Sequence, residues 1–419
     1  MAVSGGPLVG RGSASEVMND AAVEDVLAGA LEHVPLAGRR VLAIVPDGTR
    51  SAPIPLLYRL LNEHVAARAA GLDYLVALGT HPAMPEPAIE RLLGVPAAER
   101  DPAIGLFQHH WDRPGALRRI GVIPAAEAAR LTDGRLEEDV PVRLNGLVEE
   151  YDLLLLCGPV FPHEVAGYSG GAKYLFPGIA GAEIIDFTHW LGALCTSMAT
   201  IGVRDTPVRR VIHRAAEFVR PEVLCVAMVL DGDVLHGLWV GRHVEAFEAA
   251  AELSEGLNVI RVPRPFQRVI SMPAERYDDL WTAAKAMYKT EPAVADGGEV
   301  VIYAPHLREV SYTHGRLLDQ VGYHVRDYFL GQWDRFRDVP GAILAHSTHV
   351  KGTGTYDPAT GVERPRIRVT LATGIPEERC RRIDLGYLDP ARIDPAEWEG
   401  REDVLVVRHA GEKLYRLAG

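Results

Sequence analysis

The chain has little of what a disulfide-stabilised protein or a membrane protein needs. Its 419 residues include 4 cysteines, and these form no Cys-x-x-Cys pair. We therefore expect buried, reduced thiols rather than a disulfide framework. No apolar run approaches the length of a membrane span, and residues 1–16 lack the basic start and apolar core of a signal peptide. These absences predict a cytoplasmic protein with no membrane partner.

Positive charge is also scarce. The chain has 44 lysines and arginines against 56 aspartates and glutamates, which gives a formal net charge of -12. Such a chain offers no broad basic face, so we expect no nucleic-acid partner. A small anionic ligand fits this composition only where cations are concentrated locally.

The chain repeats an order of buried strand, loop and helix. Residues 40–45 and 75–78 predict strands, and each is followed by a loop and a helix that starts near prolines. Residues 153–156 predict a further buried strand. This alternation predicts an α/β fold with mostly parallel sheets and flanking helices. In such sheets, ligands sit beyond the carboxyl ends of the strands.

A proline cluster at Pro263-Arg264-Pro265 marks the predicted domain boundary. The length of the chain allows two domains or more. We expect residues 1–265 to form an N-terminal α/β domain and residues 266–400 a C-terminal α/β domain. Residues 401–419 predict two short strands, a tail that is a candidate to return to the first domain. We expect the active site in the cleft between the domains.

The densest chemistry lies in the glycine-rich stretch 158–190, directly after a buried strand. Glycine is costly inside a helix, so these residues predict a loop whose backbone can approach another group closely. The stretch contains His163, Lys173 and His189. A lysine held among small residues is suited to be a reactive amine or an anion contact, and histidines carry protons or bind metals.

Two plainer interpretations of this stretch compete. A phosphate-binding loop needs lysine between glycine and serine or threonine, but Ala172 precedes Lys173 and Tyr174 follows it. That motif is therefore missing. The other interpretation is a structural loop with a solvated lysine.

Further candidates follow the first two predicted strands. Asp47 and Arg50 come after the first strand, and His81 comes after the second. With His163 and Lys173, they all fall at carboxyl ends of strands, so we expect one common site. A guanidinium group pairs bidentately with a carboxylate, which suits Arg50 to an acid substrate. The plainer alternative is an ion pair between Asp47 and Arg50 that only stabilises the turn.

The run Gly-Tyr-Ser-Gly-Gly-Ala-Lys-Tyr-Leu-Phe-Pro-Gly-Ile-Ala-Gly at 167–181 resembles the signature of the nickel-dependent lactate racemase family. In that family the lysine is joined covalently to a pyridinium-3-thioamide-5-thiocarboxylate mononucleotide, a pincer that holds nickel. The resemblance implies that Lys173 anchors this cofactor. The positions implied to contact it are Tyr168, Ser169, Gly170 and Gly171.

The resemblance also implies roles for residues outside the loop. Asp47 and Arg50 occupy the family's Asp-x-Thr-Arg pattern, and His81 its Gly-Thr-His pattern. By resemblance, His189 is the nickel ligand, His81 and His163 are the two acid/base groups, and Arg50 clamps the substrate carboxylate. Asp47 is implied to orient Arg50 or to lower the charge of the site. Partner enzymes mature the cofactor, so protein made without them is expected to be unmodified.

The segment Trp-Thr-Ala-Ala-Lys-Ala at 281–286 resembles a family helix whose lysine reaches the substrate. Lys285 is therefore the candidate, and Lys289 is the alternative if the register differs. Lactate racemases carry a glutamine where this chain has Thr282. That departure bears on the identity of the substrate rather than on the chemistry.

The implied activity is racemisation or C2-epimerisation of a small anionic 2-hydroxy acid. The C2 hydrogen is too weakly acidic for simple deprotonation, so the family's hydride route through a planar 2-keto acid is expected, with two bases on opposite sides. The polar region 305–351 favours a sugar acid, an aldonate such as gluconate, over lactate. Roles are left open for five histidines, expected in loops: His306, His314, His324, His346 and His349.

Alternatives remain in other classes. A racemase of lactate or another short-chain 2-hydroxy acid is the nearest. A metal hydrolase could hold zinc with His81, His163 and His189. A non-catalytic sugar-acid binding protein would close its two domains on the ligand. The sequence leaves the oligomeric state open.

Overall fold

The computed structural model describes residues 6–418. The chain divides into two compact units, each made of more than one segment. Unit 1 comprises Met1–Phe161, Tyr168–Ile185 and Arg209–Leu257. Unit 2 comprises Pro162–Gly167, Asp186–Val208 and Asn258–Gly419.

Strands and helices alternate through the described residues. The strands are β1 (Val9–Gly12), β2 (Arg40–Pro46), β3 (Gly71–Ala77), β4 (Leu106–Gln108), β5 (Leu117–Ile123), β6 (Val140–Asn145), β7 (Leu153–Pro159), β8 (Pro162–His163), β9 (Gly167–Tyr168), β10 (Glu222–Asp231), β11 (Val234–Arg242), β12 (Val259–Val262), β13 (Phe266–Pro273), β14 (Val294–Ala304), β15 (Gly354–Asp357), β16 (Val362–Pro365), β17 (Arg368–Thr373), β18 (Gly386–Tyr387), β19 (Val404–Ala410) and β20 (Leu414–Leu417). The α-helices are α1 (Asp20–Glu32), α2 (Ile54–Leu61), α3 (Glu86–Leu93), α4 (Ala125–Leu131), α5 (Ala182–Cys195), α6 (Ser197–Thr200), α7 (Pro207–Ala216), α8 (His243–Asn258), α9 (Leu280–Ala283), α10 (Lys285–Tyr288), α11 (Gly315–Val321), α12 (Arg326–Leu330), α13 (Trp333–Phe336), α14 (Gly341–Lys351) and α15 (Glu377–Arg382).

Unit 1 is built on a seven-stranded sheet in the order β1-β11-β10-β7-β2-β3-β4. Strands β10, β7, β2, β3 and β4 run parallel, and β11 and β1 add an antiparallel edge. The central strand β7 reads Leu-Leu-Leu-Leu-Cys-Gly-Pro and is buried throughout. A parallel strand covered on both faces needs such a continuous apolar run.

The helices of unit 1 cover this sheet with apolar stripes. Helix α1 begins after Asn19, whose side chain accepts a hydrogen bond from the amide of Ala22 at 2.9 Å. Its residues Val23, Leu27 and Leu31 recur at helical spacing and are almost fully buried in the main core cluster. Burial of each such side chain stabilises the fold by about 1.5–3 kcal/mol.

Unit 2 is built on a five-stranded sheet in the order β18-β17-β14-β13-β19, and its neighbouring strands are all parallel. The predicted α/β class with mostly parallel sheets and flanking helices is therefore confirmed. Along residues 6–418, no helix combines the length and the apolar character that crossing a bilayer requires.

The division of the chain differs from the predicted plan in three respects. Unit 2 begins its long C-terminal segment at Asn258 rather than near residue 265, because β12 pairs in parallel with β20. The tail does not return to the first unit, since β19 pairs with β13 and extends the second sheet. Unit 2 also takes two short segments, 162–167 and 186–208, from within the predicted first domain.

Candidate functional site

In unit 1, the neighbouring strands β2 and β3 bring two predicted site residues together. Asp47 follows β2 and is buried, and its Oδ2 accepts a hydrogen bond from Nδ1 of His81, which follows β3. Its other oxygen accepts hydrogen bonds from the amide and the hydroxyl of Thr49, at 3.1 and 2.6 Å. Both carboxylate oxygens are therefore engaged, and the orientation of His81 is fixed through its Nδ1.

The charge state of Asp47 follows from these contacts. Burial raises the pKa of Asp47, but the charge and hydrogen bond of His81 lower it, as do the hydrogen bonds from Thr49 and the charge of Arg50. The lowering effects outweigh burial and hold the pKa well below the usual range. Asp47 is thus a carboxylate, which can only accept, so Nδ1 of His81 carries a proton.

Arg50 contributes charge to this group but is not the hydrogen-bonding partner of Asp47. Its guanidinium lies over the ring of Phe161, 5.2 Å from the ring centroid. Its Nη1 is buried and has no hydrogen-bond partner among the described residues. A buried donor in this state costs about 1–3 kcal/mol, a penalty that a bound anion would remove.

The glycine-rich loop presents Lys173 on a short 3₁₀ helix, Gly171–Tyr174, where the side chain is half-buried. The residue before this helix, Gly170, has φ of 84°, and a Cβ there would lie 2.5 Å from Cγ2 of Val160. Glycine is therefore required for the close approach. The amide of Gly178 donates to the carbonyl of Lys173 at 3.2 Å, and the amide of Gly79 donates to the carbonyl of Gly178 at 2.9 Å. These bonds tie the lysine loop to the loop that carries His81.

Tyr174, which follows Lys173, packs its ring against the backbone of Gly158. A Cβ at position 158 would overlap the phenol ring, so this strand end must be glycine. Burial raises the pKa of Tyr174, and the charge of Arg50 lowers it only in part. The phenol is therefore neutral and lies within electrostatic reach of both Arg50 and Asp47.

A buried arginine that the sequence analysis did not single out supports the same loop. Arg209 on α7 is 1% exposed, and its guanidinium donates to the carbonyl of Gly170 at 3.1 Å and to that of Tyr168. It also lies over the ring of Phe247, 4.1 Å from the centroid. Burial lowers the pKa of Arg209 to about 9, which still leaves a cation at neutral pH. The available signal was the spacing of Arg209 from Ile212 and Ala216, two apolar residues that are buried on the same side of α7.

Removal of Arg209 is expected to destabilise unit 1. In Arg209→Met, two loop carbonyls lose their donor, so we expect a loss of about 2–4 kcal/mol in the free energy of unfolding. Arg210→Met is the matched control, because the neighbouring Arg210 forms only a surface pair with Asp133 at 2.8 Å. We expect that control to lose less than about 1 kcal/mol. Equal denaturant midpoints for the two variants would contradict the assignment.

Ser169 and Tyr168, two of the predicted cofactor contacts, are buried within the protein. The hydroxyl of Ser169 donates to the carbonyl of Pro159 at 2.8 Å and accepts from the amide of Phe161 at 3.0 Å. Tyr168 is fully buried. These contacts shape the loop, and the contact of either residue with a cofactor stays a prediction.

In unit 2, His163 is buried, and its Nδ1 accepts a hydrogen bond from the amide of Val165 at 3.1 Å. A carboxylate oxygen of Glu164 lies 3.3 Å from the same nitrogen. Glu164 is itself held in place, since its carbonyl accepts from the hydroxyl of Thr200 at 2.6 Å. Glu164 was not predicted to be a site residue, although it is adjacent to the predicted acid/base residue His163.

His189 lies half-buried on α5, and it belongs to a group of histidines in unit 2. It is within electrostatic reach of His346 and His349, which lie on α14. The prediction that these two histidines lie in loops is therefore wrong, since residues 341–351 form a regular helix. The two side chains are brought to one face because they are three residues apart.

The ring of Trp281 packs against two histidines of unit 2, His346 and His314. Trp281 lies 4.3 Å from the ring of His346 and 4.5 Å from that of His314, between ring centroids. The hydroxyl of Tyr323 lies 3.2 Å from Nε2 of His346. Burial lowers the pKa of His346 well below its ordinary value and that of His349 to about 4. Both rings are therefore neutral at pH 7 and can serve as uncharged hydrogen-bonding groups.

The structure distinguishes the two candidate lysines of unit 2. Lys285 is buried, with its Nζ 4.4 Å from the ring centroid of Tyr277. Lys289 donates instead to the carbonyl of Glu412 at 2.8 Å, which secures the tail. Lys285 therefore remains the candidate substrate contact, and Lys289 has a structural explanation.

Thr282 also has a local partner. Asp279 caps α9, and its Oδ1 accepts hydrogen bonds from the amide and hydroxyl of Thr282, at 3.0 and 2.9 Å. The segment 281–286, which resembles one helix of the family, is divided here between α9 and α10. The hydroxyl of Thr282 is thus engaged in the cap.

The remaining histidines have separate surroundings. His306 Nε2 lies 3.0 Å from the carbonyl of Tyr277, and His324 Nδ1 lies 2.7 Å from Glu363. Within residues 6–418, two sets of three side chains could reach one metal ion, and neither includes His81, His163 or His189. Those sets are Glu24 with Glu63 and His64, and His324 with Glu363 and Asp384.

The fold and these residues define a class of α/β protein that carries a lysine in a glycine-rich loop and a hydrogen-bonded aspartate and histidine after neighbouring parallel strands. A family model described as the lactate racemase N-terminal domain matches residues 11–202. A crystallised protein from Thermotoga maritima is 32% identical with a TM-score of 0.89, over 96% of this chain and 99% of that one. The chain belongs to the lactate racemase-like family, as its sequence predicted.

More distant relatives agree with this assignment. The lactate racemase of Thermoanaerobacterium thermosaccharolyticum is 24% identical over 298 residues, which cover 67% of this chain and 65% of that protein. The chain thus aligns with slightly under two thirds of that relative's length. The structure of the lactate racemase apoprotein from the same organism has a TM-score of 0.70 at 20% identity, over 94% of this chain and 93% of that one. That likeness supports the fold.

Proposed function

We propose that this protein is a racemase or C2-epimerase of 2-hydroxy acids. The observation that carries the proposal is the arrangement in unit 1, where Asp47 orients His81, Arg50 offers a buried unpaired donor, and the loop of Lys173 is bonded to the loop of His81. A base, an anion-binding donor and an amine are the groups that such a reaction needs. Membership of the lactate racemase-like family supports it.

The residues of this loop fit the proposed nickel-pincer nucleotide. Gly170 leaves no room for a side chain, and the half-buried Lys173 stands on a backbone fixed by Arg209. Lys173 would hold the pyridinium group through a covalent link, and His189 would bind its nickel. When bound, this cofactor supplies a hydride acceptor and donor for C2.

The side chains of the protein would bind and orient the acid. We propose that Arg50 and Lys285 hold the carboxylate of the substrate while the configuration at C2 is inverted. Their two positive charges would fix the position of the substrate and complement its negative charge. His81 and His163 would take and return the hydroxyl proton, one on each face of the substrate. Asp47 keeps Nε2 of His81 available by holding Nδ1 as a donor.

A sugar acid is the preferred substrate in this proposal. The neutral rings of His346 and His349 beside Trp281 offer hydrogen bonds without charge. The hydroxyl groups that an aldonate carries beyond C2 suit such partners, whereas beyond C2 lactate offers only a methyl group. A lactate pocket would leave Nε2 of His349, which is buried and has no hydrogen-bond partner among the described residues, without one, at a cost of about 1–3 kcal/mol.

The test is co-expression with the maturation enzymes followed by intact mass measurement and a panel of chiral 2-hydroxy acids. We expect a mass gain on the peptide that contains Lys173 and inversion at C2, fastest with aldonates. Inversion of lactate alone would favour the short-chain alternative. Stoichiometric zinc without a lysine adduct would favour the hydrolase. Binding of the acid without inversion, retained in Lys173→Ala, would favour the binding protein.

Lys285 begins α10 and Lys289 follows its last residue, and we expect truncation of these two lysines to affect different properties of the protein. Lys285→Ala is expected to lower kcat/KM by about 10²–10³-fold, because a charge that holds the carboxylate is lost. Lys289→Ala should lower the free energy of unfolding and leave kcat/KM within about threefold, because its amine secures the tail. Steady-state kinetics and denaturant titration separate the two. The reverse pattern would assign the substrate contact to Lys289.

A further inference from the structure

The two predicted acid/base histidines have different hydrogen-bonding partners at Nδ1, an acceptor for His81 and a donor for His163. In His81, Nδ1 faces a carboxylate oxygen of Asp47, and the other oxygen of Asp47 accepts from Thr49. A carboxylate has no proton to give, so His81 must be the donor. A neutral His81 therefore carries its proton on Nδ1 and presents the lone pair of Nε2.

His163 has the reverse arrangement. Its Nδ1 accepts a hydrogen bond from the backbone amide of Val165 at 3.1 Å. A backbone N–H can only donate, so Nδ1 of His163 holds a lone pair in this state. The neutral ring then carries its proton on Nε2 and presents a donor.

We propose that the chain holds His81 and His163 in opposite tautomers at rest, and that Glu164 is the positioning residue whose carboxylate accepts a hydrogen bond from Nδ1–H of His163 when that ring becomes charged. This inference rests on the proposed function for its catalytic meaning, although the tautomers themselves do not depend on it. The carboxylate of Glu164, 3.3 Å from Nδ1, is in place for that role. His349 in unit 2 is also within electrostatic reach of Glu164.

The proton balance follows from this arrangement. His81 removes the hydroxyl proton at Nε2 and becomes an imidazolium whose Nδ1–H remains hydrogen-bonded to Asp47. Once a proton from solvent has charged its ring at Nδ1, His163 donates that Nδ1–H to Glu164 in a hydrogen bond and gives its Nε2 proton to the substrate oxygen on the other face. It is left with a proton on Nδ1 and a lone pair on Nε2, so it can act as the base in the reverse direction. In the resting tautomer, Nε2 carries a proton and has no such lone pair. His163 can therefore act as a base only after Glu164 has accepted the hydrogen bond from its Nδ1–H.

The direct test is NMR of the full chain, made without maturation enzymes and labelled with ¹⁵N-histidine. Signals are assigned by their loss in His81→Gln and His163→Gln. We expect protonated Nδ1 and lone-pair Nε2 in His81 when the ring is neutral, and the opposite pattern in His163. A His163 ring protonated at Nδ1 at rest, or the same tautomer in both rings, would overturn the proposal.

The role of Glu164 needs the loaded enzyme. In Glu164→Gln, which keeps the shape and removes the charge, we expect kcat/KM to fall about 10²-fold. The fall must be equal for both epimers, because the equilibrium constant does not depend on the enzyme. The high-pH limb of the profile should move to lower pH, a change that a merely structural residue would not cause. An unchanged profile with unchanged kcat/KM would remove Glu164 from the proposal.

The two tests fail independently. Opposite tautomers without a mass gain on the peptide that contains Lys173 would confirm the resting tautomers of His81 and His163 and contradict the proposed function. A loaded, active enzyme whose two histidines share one tautomer would do the reverse.

Discussion

Replacement of Lys173 by arginine is expected to abolish C2 inversion, with a loss on the order of 10⁶-fold or more in kcat. The proposed cofactor supplies the hydride chemistry, and only an amine can form the covalent link to it. Arginine keeps the positive charge of the loop but remains protonated and cannot make that bond. The measurement is intact mass after co-expression with the maturation enzymes, followed by assay with both epimers of an aldonate.

A matched control separates this effect from general damage. Lys351→Arg makes the same exchange at a lysine that pairs with Asp384 at 2.5 Å. That variant should gain the full cofactor mass and retain activity within about threefold, since an exposed ion pair contributes about 1 kcal/mol or less. A full mass gain in Lys173→Arg would show that the cofactor is attached elsewhere, and the proposed role of Lys173 would fall.

The sequence was informative where local pattern decides the structure. The unbroken leucine run of β7 requires burial on both faces, which only a central parallel strand provides. Glycines at 170 and 171 indicated a close backbone approach, and both have positive φ. The family and the fold class followed from these features and from the Asp-x-Thr-Arg and Gly-Thr-His patterns.

The partnerships of the site residues could not be predicted in the same way. Asp47 was expected to act on Arg50, three residues away, but its hydrogen-bonding partner is His81 on the next strand. A neighbour in sequence was the plausible partner, and the pairing of β2 with β3 decided otherwise. Arg209 was missed for a related reason, because the carbonyls that bind it lie about forty residues earlier in the chain.

Unit 2 shows the same limit. His346 and His349 were expected in loops that follow strands, yet they lie on a helix whose residues 342–350 are all buried. Polar residues at helical spacing resemble a solvated face, and only the packing of Trp281 against His346 shows that this face is enclosed. The tail gave no signal of its partner either, since a short parallel strand can extend any sheet with an open edge.

Replacement of Asp47 by asparagine should reverse the tautomer of His81 while it preserves the shape of the site. Thr49 donates two hydrogen bonds to one oxygen of Asp47, at 3.1 and 2.6 Å. An asparagine must therefore turn its carbonyl oxygen toward Thr49, which points its amide group at Nδ1 of His81. That donor requires a lone pair on Nδ1, so the ring proton moves to Nε2 and the base is lost.

We expect Asp47→Asn to lower kcat by about 10⁴-fold, the effect of the same exchange beside the catalytic histidine of serine proteases. The protein should still gain the cofactor mass, because Lys173 is unchanged. Asp47→Glu is the companion variant, since it keeps a carboxylate acceptor and should restore part of the activity with the Nδ1–H tautomer of His81. Full activity in Asp47→Asn, with ¹⁵N signals that place the proton on Nε2 of His81, would show that His81 is not the base. The pairing of Asp47 with His81 would then serve only to join the loops after β2 and β3.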